Sequence, residues 1–206
     1  MDKKIGLLGS GGQADEAASF YSGEVAFRAV SKMYINDIAN VDLADPSEDE
    51  RITTVCIAVG APGLRRDFAG IWPGDQYASI IASGAMIDRS AEIGLGSIIA
   101  PYAVITTRVR IGRHALINVA ASVQHNSILG DYVTVGPGAR IAGGVVVGDG
   151  VYVGIGATIS NGVTIAEGAV VGAGATLLAD AKEKNGVYIG TPARLLRVNG
   201  DWLHEI

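Results

Sequence analysis

From Ile87 to Leu177 an aliphatic residue returns at every sixth position, through Ile93, Ile99 and Ile105 to Val171, and each of these positions is Ile, Val or Leu. A second register four places later, from Ala91 and Ser97 to Ala175, holds only small or β-branched residues. Helices return their apolar face at three to four residues and strands at two, so a period of six belongs to neither alone. It is the signature of hexapeptides wound into a parallel β-helix. Each hexad supplies one short strand and one corner, and three close a triangular coil, giving coils at 87–104, 105–122, 123–140, 141–158 and 159–176. Stacked coils lie about 4.8 Å apart, which makes residues eighteen apart vertical neighbours. Glycines that follow several aliphatics (Gly94, Gly112, Gly130, Gly136, Gly148, Gly154, Gly172) are expected to relieve the bends.

The rest of the chain reads differently. In residues 1–83, Lys4–Leu8 is an expected strand, Gly9 to Gly12 a turn, Gln13 to Ser22 a helix, Val25 to Val30 and Ile52 to Val59 further strands, Gly63 to Ala69 a helix and Tyr77 to Ile81 an extended segment. This alternation predicts a small parallel α/β domain, half of a doubly wound fold, over 1–83, followed by the β-helix and a C-terminal cap over 84–206. Ligands of such sheets sit beyond the carboxyl ends of the strands, here the loops at 9–13, 31–37 and 60–65. Gly9-Ser10-Gly11 joins a strand to a helix and approaches a dinucleotide fingerprint. A half-domain suits a mononucleotide or its sugar better, and a tight turn without ligand is the alternative. Beyond Leu177 the tail ending in Trp202-Leu203-His204 is expected to cap the open end of the prism.

A net charge of −5 and a pI near 5.1 give no basic footprint for nucleic acid. No apolar run reaches membrane-spanning length and no signal-like segment precedes the first strand. The single cysteine, Cys56, lies in an apolar run and reads as a core thiol, in keeping with a cytoplasmic protein.

Among the three histidines, His114 reads as a solvated corner and His204 lies in the tail, whereas His125 has Gly143 one rung above it and Gly144 beside that. A base one rung below a backbone N–H that a glycine leaves approachable is an arrangement for direct acyl transfer. By spacing alone His125 reads equally as a surface histidine.

The prism with its small α/β domain, the strings Leu116-Ile117-Asn118 and Gln124-His125-Asn126, the Ala142-Gly143 step and the closing Gly190-Thr191-Pro192-Ala193-Arg194 resemble the NeuD/PglD-like bacterial sugar acetyltransferases. The resemblance implies a left-handed β-helix, a homotrimer with sites between neighbouring prisms, acetyl-CoA as co-substrate without a metal, and a nucleotide-linked 4-amino-4,6-dideoxy sugar as acceptor in surface-glycan synthesis. Carried over by position, His125 is the general base, assisted by Asn126, and Gly143 offers its N–H to the thioester carbonyl. Gly9, Ser10, Gly11, Gly12, Gln13, Asp37, Gly60 and Asn118 hold the acceptor, and Thr134, Gly143, Ile155, Gly156, Gly174 and Pro192 follow the coenzyme. The chain departs from the family at Asn126, where an acidic residue is usual, and at Gln13, Ala61 and Thr134. An amide oxygen at Asn126 is expected to orient the imidazole in place of the carboxylate. The competing readings are O-acetylation of a sialic acid or related sugar, a metal hydratase like the γ-class carbonic anhydrases, which needs three converging histidines, and a non-catalytic scaffold.

Overall fold

The computed structural model describes residues 4–38 and 40–205. Its N-terminal part is a four-stranded parallel sheet in the order β3-β2-β1-β4, with β1 at Lys4–Leu8, β2 at Glu24–Val30, β3 at Val41–Asp42 and β4 at Val55–Ile57. Helix α1 (Gly12–Phe20) follows β1, α2 (Glu48–Arg51) precedes β4, and α3 (Pro62–Ile71) follows it. Proline at the start of α3 gives up an N–H that no helical carbonyl would take.

The prism starts earlier than the sequence boundary at residue 84. Strand β5 (Ile80–Ile81) pairs in parallel with Ile98–Ile99 and so forms the lowest rung of the prism rather than the last extension of the α/β part. From there three parallel sheets rise with a register of eighteen throughout, Leu116 opposite Thr134 and Arg110 opposite Ile128 for example. The first face climbs through Ile98–Ile99, Leu116–Ile117, Thr134–Val135, Tyr152–Val153 and Val170–Val171; the second holds Ser122–Val123 and Arg140–Ile141; the third holds Ile128–Leu129 and Val146–Val147. The aliphatic register from Ile99 to Leu177 and the small register from Ala103 to Ala175 meet in one continuous interior core.

The glycine expectation requires correction. Every sixth residue from Gly96 to Gly174 has positive φ, and these bend the chain; six of them, Tyr102, Arg108, His114, Ala120, Asn126 and Tyr132, are not glycine. Gly112 and its counterparts Gly94, Gly130, Gly136, Gly148, Gly154 and Gly172 are absent from that set. They serve close stacking instead, since a Cβ at Gly112 would lie 2.6 Å from the Asp131 nitrogen in the next coil.

The α/β part leans on the lower rungs of the first face. Outward-pointing Ile80, Ile98 and Leu116 are buried with Ala14 and Ala17 of α1 and Ile5 and Leu7 of β1 in a second core. The tail forms an antiparallel hairpin, Gly186–Gly190 with Ala193–Val198, that extends the first face above Val170–Val171. It covers that edge as expected of a cap, then returns along the prism to α3, where the Gly63 N–H donates to the Leu203 carbonyl at 2.8 Å.

Candidate active site

The carboxyl ends of β1 and β4, the first turn of α1 and the first face of the prism enclose a cavity of about 1120 Å³. Gly9, Ser10, Gly11, Gly12 and Gln13 line one wall, Gly60 with Leu64 and Phe68 a second, and Asn118, Thr134, Gly136, Pro137 and Tyr152 the prism side. Among the described residues no side chain caps the start of α1, and Cβ atoms at Gly11 or Gly12 would meet nothing within 4 Å, which leaves the helix start open to the cavity. Such a helix start suits an anionic group. Asn118 donates to the Gln13 side-chain oxygen at 3.5 Å, joining the two walls, while the buried Gln13 side-chain nitrogen has no hydrogen-bond partner among the described residues.

Arg65 sets the floor. The side chain is 1 % exposed, and its guanidinium donates to the carbonyls of Val59 (2.7 Å), Gly60 (2.7 Å), His114 (3.0 Å) and Tyr132 (2.7 Å) and to the Thr134 hydroxyl (2.8 Å). Burial pushes its pKa down to about 9, which leaves it a cation at neutral pH. One side chain thus ties the loop after β4 to two prism corners. The sequence offers no periodic signal for it.

The structure changes four of the sequence expectations. Thr134, placed with the coenzyme from the sequence, is buried; its hydroxyl donates to the Gly60 carbonyl at 2.8 Å as well as accepting from Arg65, so its polar capacity serves the cavity wall. Asp37 lies outside the cavity in a shallow groove with Arg28 and Asn40, and Asn36 lines the cavity in its place. His114 is not solvated: it is 1 % exposed, stacked on Tyr132 at 5.1 Å and edge-on to Tyr77 at 4.6 Å. Burial first, then the nearby charges of Arg113 and Arg65, push its pKa down to about 4. The tail contributes to the site as well as capping, since His204 and Glu205 line the cavity. His204 is held between the Trp202 carbonyl (2.8 Å) and the Asp67 carboxylate (3.1 Å), and Trp202 lies under the Arg66 guanidinium at 4.5 Å. Met33 and Tyr34, highly exposed for their size, complete the cavity mouth; they lie in the loop 31–37 expected to meet a ligand, although the sequence reading singles out neither side chain.

His125, Asn126 and Gly143 are not in this cavity. They occupy the corner between the second and third faces, whereas Asn118, Pro137, Ile155, Gly156 and Gly174 occupy the corner between the first and second. The His125 ring lies directly beneath Gly143: a Cβ there would stand 2.7 Å from Nε2. The Gly143 N–H has no partner among the described residues, while its carbonyl accepts from the Gly162 N–H at 3.0 Å. Asn126, at φ 62°, does not present its oxygen to the ring. Arg108 Nε donates to Asn126 Oδ1 at 2.8 Å, and the amide nitrogen stands 3.1 Å from His125 Nδ1. On the other corner, Gly138, Gly156 and Gly174 form a column with open space above each Cα, and Ile155 is exposed beside it. The Thr191 hydroxyl, next to Pro192, reaches the Gly174 carbonyl at 3.4 Å, so all four expected coenzyme positions beyond Gly143 follow one edge upward from the cavity.

Cys56 is fully buried and its thiol is pushed up to about 12 by burial, which removes it as a nucleophile. Among the described residues no group of three His, Cys, Asp or Glu side chains is placed to hold a metal ion, and no helix is long and apolar enough to cross a membrane.

Residues 144–179 match the bacterial transferase hexapeptide family (six repeats). Solved structures similar to the whole chain include PerB, the perosamine N-acetyltransferase of Caulobacter crescentus, in complex with CoA and GDP-perosamine; it is 26% identical, covers 94% of this chain and 97% of its own, and has a TM-score of 0.84. The acetyltransferase domain of PglB from Neisseria gonorrhoeae is 25% identical over 95% of this chain and 100% of its own, with a TM-score of 0.84. WeeI from Acinetobacter baumannii is 25% identical over 94% and 100%, with a TM-score of 0.80. No curated protein matches the sequence. The prism is accordingly the left-handed β-helix that the resemblance implies.

Proposed function

We propose, for a chain that carries the hexapeptide repeat on the fold of the NeuD/PglD-like sugar acetyltransferases, that it transfers an acetyl group from acetyl-CoA to the amino group of a nucleotide-linked 4-amino-4,6-dideoxy sugar. The acceptor class is that of the GDP-perosamine bound by the Caulobacter enzyme. The observation that carries the reading is the His125 ring seated under Gly143, whose N–H has no partner among the described residues.

The amino nitrogen attacks the thioester carbon, and His125 takes the proton that the nitrogen sheds. The carbonyl oxygen gains the charge, and the Gly143 N–H stabilises it as an oxyanion donor. Collapse breaks the carbon–sulfur bond, and the departing thiolate receives the proton. No covalent acyl-enzyme is needed. The cavity behind Gly9 to Gln13 suits the nucleotide, with the phosphates toward the start of α1, and the edge running past Ile155, Gly156 and Gly174 suits the coenzyme.

Because the cavity and His125 occupy different corners of one prism, the reading requires a neighbouring copy to bring its His125 and Gly143 to the cavity, which a homotrimer of side-by-side prisms does. The acceptor panel that tests the reading pairs acetyl-CoA with GDP-, UDP- and dTDP-linked 4-amino sugars and free sialic acid. Release of CoA with an amino sugar supports it; release with sialic acid alone favours O-transfer. CoA binding without turnover on any acceptor would leave the scaffold reading. A hydratase finds no support in His114, which is buried between two tyrosines.

A further inference from the structure

We propose that Arg108 is a positioning residue that decides, through the Asn126 amide, which nitrogen of His125 carries the proton. The inference rests on the acetyltransferase reading above. A guanidinium has donors and no acceptor, so the atom of Asn126 that faces Arg108 Nε at 2.8 Å is the amide oxygen. The amide nitrogen is thereby turned to His125 Nδ1 at 3.1 Å. An amide nitrogen donates and does not accept, so Nδ1 is the acceptor and the neutral ring carries its proton on Nε2.

That tautomer is wrong for the chemistry. With Nδ1 occupied by Asn126, Nε2 is the ring nitrogen left for the acceptor amine, and it sits at the edge of the ring beneath Gly143. A base acting at Nε2 needs a lone pair there and a proton on Nδ1. The base-competent form arises when the amide turns over, so that Oδ1 accepts from Nδ1–H and the amide nitrogen faces the guanidinium. The turn gives up the charge-assisted bond from Arg108, the stronger of the two contacts by its length and charge. Arg108 therefore holds His125 mostly in the resting tautomer, and the competent form is the minority by a factor on the order of ten. Position 126 has φ 62°, a conformation that asparagine accepts readily, so the corner tolerates an amide without dictating which of its ends meets the ring.

The experiment combines ¹⁵N NMR of histidine-labelled full-length protein, at a pH where the ring is neutral, with steady-state transfer rates. His125→Ala identifies the resonances of residue 125. The wild type is expected to show the Nε2–H tautomer. Arg108→Met, which keeps the aliphatic stem, should shift the ring toward a near-even mixture with Nδ1–H and raise kcat by about fivefold with KM for acetyl-CoA unchanged. Asn126→Asp, whose carboxylate accepts from both Arg108 and Nδ1–H, should hold the ring fully in the Nδ1–H form and raise kcat as well. A wild-type ring already protonated on Nδ1, or an Arg108→Met variant with wild-type tautomer and rate, overturns the proposal. Retained transfer in His125→Ala would instead refute the base assignment, and the tautomer spectra would still judge Arg108 independently.

Discussion

Acidification should destabilise this protein through His114 in particular, and the size of the effect follows from where the ring sits. The imidazole is wedged between Tyr77 and Tyr132, its buried Nδ1 has no hydrogen-bond partner among the described residues, and Arg65 and Arg113 add positive charge nearby. In the folded chain its pKa is pushed down to about 4, chiefly by burial. The unfolded chain takes up the proton near the ordinary value, about 6.5, so between those two values the unfolded state binds more protons than the folded one. The stability is complete above about 6.5 and drains away as the pH falls to about 4. A gap of about 2.5 pH units corresponds to about 3 kcal/mol at full weight, and solvent reaching the half-buried tyrosines trims it to about 2 kcal/mol. His114→Phe removes the titration. The substitution is feasible because Tyr102 and Tyr132 already carry aromatic side chains at the same corner conformation. Urea unfolding of both proteins at pH 7.5, 5.5 and 4.5 reads the difference in slope, which cancels the shared carboxylates. The wild type should lose about 2 kcal/mol more than the variant across that range. Parallel slopes would refute the assignment of a neutral, proton-excluding His114.

Three further outcomes are expected. Arg65→Ala should cost about 3–5 kcal/mol, because the His114 and Tyr132 carbonyls and the Thr134 hydroxyl lose a buried donor; a thermal melt within a degree or two of wild type would contradict the role given to it. Gly143→Ala should reduce transfer by about 10² to 10³ with the fold retained, since the new Cβ displaces the His125 ring as well as crowding the oxyanion donor; normal turnover would remove both residues from the mechanism. Truncation after Gly200 should raise KM for the nucleotide sugar several-fold and leave KM for acetyl-CoA alone, because His204 and Glu205 line the cavity proposed for the acceptor, away from the edge bearing Gly156 and Gly174; equal KM values for both substrates in truncated and full-length protein would mean that the tail only caps.

Much of the prism was legible in the chain because its core is made by a local rule. A side chain at Ile99 or Val135 faces inward by virtue of its place in the hexad, and its neighbours lie eighteen residues away whatever the rest of the molecule does. The His125–Gly143 contact follows from the same arithmetic. The rule is silent on side chains that point outward. His114 and Thr134 look like surface positions of the repeat, yet both are buried because the α/β part and the returning tail settle on that face. Arg65, seven residues beyond Ala58, is drawn under the cavity by carbonyls contributed from residues 59 to 132, a convergence no periodicity records. Likewise the identity of Asn126 was plain, but the direction of its amide was set by Arg108 one coil below. The repeat determined which residues stack; long-range packing decided which of them see water and which proton each one holds, because burial and hydrogen-bond polarity depend on groups that the repeat does not place.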